Sequence, residues 1–72
     1  MEEEELQALR KQVKKAKRIA SERAGELHDL VEERLPQAFD EIPAMAKACY
    51  DACQHWADVT QQLKEAESIA DH

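Results

Sequence analysis

Apolar residues recur at alternating steps of three and four along both halves of this chain, and a short segment holding its two prolines lies between the halves. That period belongs to the α-helix, not to the strand. In the second half Ile42, Met45, Cys49, Ala52, Trp56, Val59, Leu63, Ala66 and Ala70 keep the 3-4 repeat without a break. A seam sustained over four heptads packs against another helix. In the first half Leu6, Leu9, Val13, Ala16 and Ala20 do the same, and Ala24, Leu27 and Val31 continue after one four-residue step. The extra step is a stutter that keeps Arg23 off the seam. Ile19 and Leu30 flank the first stripe; Ala46, Cys53 and Ala57, with Tyr50 beside them, widen the second.

Pro36 disfavours helix at Leu35 and ends the first helix near Arg34. Asp40 is placed to cap the second helix, and Pro43 suits its first turn. The spacing predicts helix 1 over about 3–34, a linker over about 35–40 and helix 2 over about 41–67, in one domain spanning 1–72. So short a linker joins antiparallel neighbours. The outcome is an all-α helical hairpin. Stripes this wide face two neighbours, so two hairpins are expected to pair as an antiparallel four-helix bundle, a rod roughly 40–50 Å long at about 1.5 Å per residue. The chain is 72 residues long, and a chain this short is marginal alone, which makes self-association the default.

Composition excludes other classes. One Gly among 72 residues is too few for a turn-rich β fold or a phosphate-cradling loop, and two Cys make no disulfide framework. No apolar run reaches the ~18–20 residues of a membrane span. The acidic start, Glu2–Glu5, is the opposite of a basic signal-peptide leader. The expected location is the cytoplasm, with no membrane partner. No Ser, His and Asp set has an elbow or oxyanion loop around it, so the chain reads as non-enzymatic.

Charge is segregated. Residues 1–9 carry −4, residues 10–23 carry +6, and residues 24–72 carry −8, for a net −6. The basic band, Arg10, Lys11, Lys14, Lys15, Lys17 and Arg18, is a solvated face, a docking strip for an acidic protein, or an RNA contact. The net charge disfavours nucleic acid. Asp58, Glu65 and Glu67 of the opposed helix are expected to neutralise the band in part.

Metal-donor residues also share helical spacing. His28 precedes Glu32 by four, and His55 follows Asp51 by four and precedes Asp58 by three. Imidazole with carboxylate binds Ni, Zn or Fe, and two such half-sites joined by dimerisation would complete a centre. The alternative is surface histidines in ordinary ion pairs. Cys49 and Cys53, four apart, are half a metal site or small seam residues. Trp56 and Met45 belong to the core by their seam position, Phe39 caps the bundle end, and Gly25, on an outward face, is either tolerated or approached by a partner's backbone.

The order Leu27-His28-Asp29-Leu30 with Glu32, then Leu35-Pro36, Ile42-Pro43, Tyr50-Asp51-Ala52 and Leu63 resembles the small Rop-like proteins encoded in bacterial nitrogen-fixation gene clusters. The likeness covers about residues 6–66. Cys49, Cys53 and Trp56 fall outside its pattern. It implies a two-helix hairpin that dimerises into a four-helix bundle. It also implies an accessory role in nitrogen fixation, with nitrogenase or its assembly proteins as partners. Members are described as metalloproteins, and His28 is the one candidate ligand inside the matching stretch. No catalytic residue carries over. The likeness to Rop itself, a plasmid RNA-binding regulator, is one of fold and does not carry function. An RNA-binding regulator and a purely structural dimerisation module remain the alternatives.

Overall fold

A computed structural model describes residues 3–70. Helix α1 runs over Glu3–Asp29 and α2 over Ile42–Ala70, and the two pack side by side along their lengths. The chain forms a rod of 55 × 14 × 12 Å, slightly longer than expected. Among the described residues no strand occurs, and no helix is long and apolar enough to cross a membrane. Glu2, Asp71 and the end of the chain lie outside the described residues.

The turn between the helices is tighter than a plain linker. Past Asp29 the helix widens into a π-helical turn, Leu30–Arg34. It ends where expected, with Leu35 extended at φ −89° and ψ 148°, the conformation that a following proline imposes. The Ala38 N–H donates to the Arg34 carbonyl at 2.9 Å, and a 3-10 turn, Phe39–Glu41, leads into α2. Asp40 does not act as the helix cap. It lies inside the 3-10 turn, which has no side-chain cap, and the backbone bonds of that turn serve instead. Pro43 sits in the first turn of α2, as its missing N–H requires. Helix α2 runs three residues past the expected end at 67.

The core is thin. Leu6, Ala16, Leu30, Val59 and Ala66 are buried, and Leu30 is fully so. The α2 seam is as read, with Met45, Cys49, Ala52 and Leu63 half-buried around Val59 and Ala66. Trp56 occupies its seam position yet stays 37% exposed. The α1 seam corrects the sequence reading. No stutter occurs: the 3-4 repeat passes unbroken through Ala20, Arg23, Leu27 and Leu30. Arg23 is half-buried, and its guanidinium leaves the seam to meet Glu26 at 2.7 Å. The side chain covers the seam with its methylenes and keeps its charge in water. Leu30 is therefore the last core residue of α1, not a flank, whereas Ala24 and Val31 stand outside, Val31 at 56% exposure.

Candidate functional site

With the seam fixed, the flanks of both helices sort onto two faces, because residues seven apart stack along one side of a helix. One face carries Arg10, Lys17, Ala24 and Val31 of α1 beside Ala46, Cys53, Thr60 and Glu67 of α2. Two contacts establish that these flanks share a side. Arg10 meets Glu67 at 3.5 Å across the helices, and Lys17, Ala20, Ala24, Cys53 and Trp56 line one shallow groove. Lys14, Ser21 and His28, with Tyr50, Ala57 and Lys64, extend this front face outward. The rear face carries a second groove, with Glu5, Leu9 and Gln12 opposite Gln62 and Glu65.

The two faces differ in chemistry. The rear bears Glu5, Glu22, Glu26, Asp29, Asp51, Asp58 and Glu65 against Lys15. The front carries two carboxylates, Glu3 and Glu67, among Arg10, Lys14, Lys17 and Lys64, all at the end away from the turn. Its turn half is apolar: Ala24, Val31, Ala46, Cys53 and Ala57 are exposed or half-buried, and Tyr50 is 67% exposed. The Tyr50 hydroxyl reaches only Gln54, at 3.4 Å. Phe39 is exposed at the turn.

The basic band wraps around α1. Arg10, Lys14 and Lys17 face front, Lys11 and Arg18 lie on the outer edge, and Lys15 faces the rear. Arg10 is paired with Glu67, and Arg18 lies 3.8 Å from Glu22. Lys11, Lys14, Lys15 and Lys17 have no carboxylate within ion-pair distance among the described residues. The neutralisation expected from the opposed helix thus reduces to one pair, since neither Asp58 nor Glu65 reaches a cation.

The metal-donor residues are not gathered into a centre. His28 Nδ1 lies 3.6 Å from Glu32 Oε2 and 3.8 Å from Asp29 Oδ1, all three side chains exposed. The other set is drawn apart. Asp51 accepts from Lys47 Nζ at 2.7 Å, and Asp58 accepts from the Gln54 amide at 3.1 Å, which leaves His55 without either. No group of three or more donor residues fit to hold a metal occurs among the described residues. His28 lies on the front and His55 on the rear, so one hairpin cannot join them. Among the described residues one protomer supplies a His–carboxylate half-site, short of the four ligands of a structural zinc.

Cys49 is half-buried and Cys53 exposed, both free thiols. Burial, reinforced by the neighbouring Cys53, pushes the Cys49 thiol up. That is the reverse of an activated nucleophile or thiolate ligand. Asp51 beside Lys47 raises the lysine in turn. Gly25 has open space where a Cβ would stand, so it is tolerated, not required.

The family model described as Rop-like matches residues 4–68. The chain belongs to the Rop-like family. The match takes in both helices and the turn, which accords with the hairpin. No curated protein matches the chain, and no solved structure does. Rop-like membership favours self-association, and the hairpin leaves an apolar half-face open for it.

Proposed function

We propose that this Rop-like chain is a non-enzymatic accessory protein of nitrogen fixation. It self-associates and docks an acidic protein, nitrogenase or one of its assembly factors, through the lysines of α1. The observation that carries the reading is a set of cations unpaired among the described residues: Lys11, Lys14, Lys15 and Lys17 meet no carboxylate there, while Glu26, Glu41 and Asp51 each meet a cation. Ammonium groups held on a rigid helix without intramolecular counter-ions steer an acidic surface to them at low cost in rearrangement. The nitrogen-fixation setting is supported by the residue pattern from Leu27 to Leu63. Nothing in the reading rests on a metal: among the described residues His28, Asp29 and Glu32 make a half-site, which a second copy would have to complete.

A tagged copy expressed in cells fixing nitrogen tests it. Nitrogenase or its assembly proteins should be captured by the native chain and lost from a Lys11→Glu, Lys14→Glu, Lys17→Glu variant that still folds as a helix. Equal capture by both would remove the lysines from the interface. Capture of RNA instead, released by moderate salt, would favour the regulator reading.

A further inference from the structure

The end of the rod where the chain turns is apolar and acidic at once. Val31, Pro36, Phe39, Ile42 and Pro43 are all exposed there, and Phe39, in the 3-10 turn that joins the helices, is 66% open to solvent. One exposed apolar side chain is ordinary, but five within thirteen residues form a patch. The patch is also held still. The Ala38 N–H donates to the Arg34 carbonyl at 2.9 Å, the Glu41 N–H donates to the Ala38 carbonyl at 3.0 Å, and the Arg34 guanidinium donates to the Glu41 carboxylate at 3.3 Å. A turn already ordered in this way loses little conformational entropy when its aromatic side chain enters a pocket. Around Phe39, residues 29–41 carry five carboxylates against Arg34 alone. Arg34 is engaged by Glu41, and Glu33 and Asp40 meet no cation among the described residues.

We infer that the turn is a docking tip: Phe39 enters an apolar pocket on a different protein, and the rim of that pocket carries Lys and Arg that meet Glu33 and Asp40. An aromatic anchor within a charged collar is the usual division of labour at an interface, the ring supplying affinity and the collar selecting the partner. The sign of the collar turns away nucleic acid and anionic lipid. It turns away a second copy as well. An end-on contact sets this tip against another tip or against the opposite end, where Glu3, Glu4 and Glu5 open α1, and both are acidic. The lysine band ends at Arg18, about 20 Å along α1 from the turn, and has the opposite charge. The tip therefore takes a partner of its own, and the inference does not depend on the lysines or on nitrogen fixation.

The test places the photoreactive p-benzoylphenylalanine at position 39 of the full chain in its native cells. After irradiation the attached peptide is identified by mass spectrometry. A link to another protein is expected, at an apolar peptide bordered by Lys or Arg, and it should not form from the same probe at the exposed Gln61, on the far half of α2. With Glu33→Lys and Asp40→Lys added, and helicity unchanged, the yield of that link should fall at least about tenfold. With the linked protein purified, Phe39→Ala should weaken binding at least about tenfold and Phe39→Leu less. Both substitutions fall on an exposed side chain, so the fold should survive them. A link to a second copy of this chain overturns the inference and makes Phe39 a bundle-end cap. A link to an acidic surface, a link indifferent to the charge reversals, the same products from Gln61, or no link at all also overturns it.

Discussion

Leu30 carries more of the hairpin than any other side chain of its size, being fully buried where α1 gives way to the π-helical turn. Its replacement by Ala should cost about 2–5 kcal/mol, the usual range for a buried leucine. Urea unfolding at fixed protein concentration measures this, and a loss below about 1 kcal/mol would mean that the turn end is not packed as described. Gly25 works in the opposite direction. A Cβ there meets nothing within 4 Å, so Gly25→Ala should stabilise by about 1 kcal/mol in the same assay. The thiols should differ in rate. Cys49 is half-buried and its thiol is pushed up, so at pH 8 iodoacetamide should modify Cys53 well before it, as peptide mass spectrometry would show. At this scale the sequence revealed spacing but not pairing. His55 shares a helix face with Asp51 and Asp58 by number alone; Lys47 and Gln54 claim those carboxylates, and that competition needs side-chain positions to see.

At the scale of elements, the second seam was legible because its 3-4 repeat is uninterrupted and mostly apolar. The first was misread at Arg23. Avoiding a charged seam residue is sound when the charge must be buried, but here the guanidinium escapes to Glu26. The false stutter also hid Leu30 and promoted Val31. The extended conformation of Leu35 was readable from Pro36, whereas the π-helical turn before it has no sequence signal that we recognise. Ion pairing adds little to these helices. Lys47–Asp51 is fully exposed, and its sign is simple. The lysine is raised by Asp51, so the pair helps α2 at neutral pH, and that help fades as pH rises through the raised value, above 10.5. Helicity by circular dichroism should therefore lose a small component above pH 10.5 in the native chain and not in Lys47→Gln; identical profiles would show that the pair contributes nothing.

At the scale of the whole molecule, the hairpin buries little of its own surface. Five buried residues among those described and a 12 Å short axis make a thin core. The sequence reading predicts two wide stripes and, from them, a second hairpin; the structure describes one hairpin with both stripes only partly covered. The asymmetry between an acidic rear and an apolar, basic front appeared only when the flanks of α1 and α2 were matched across the seam. Sedimentation equilibrium of the native chain across a range of concentrations tests self-association most directly. The account predicts a mass twice the 8.2 kDa of the chain, falling toward one chain on dilution, with thermal stability falling in step. A single-chain mass at every concentration, with a cooperative melt that does not shift, would contradict it.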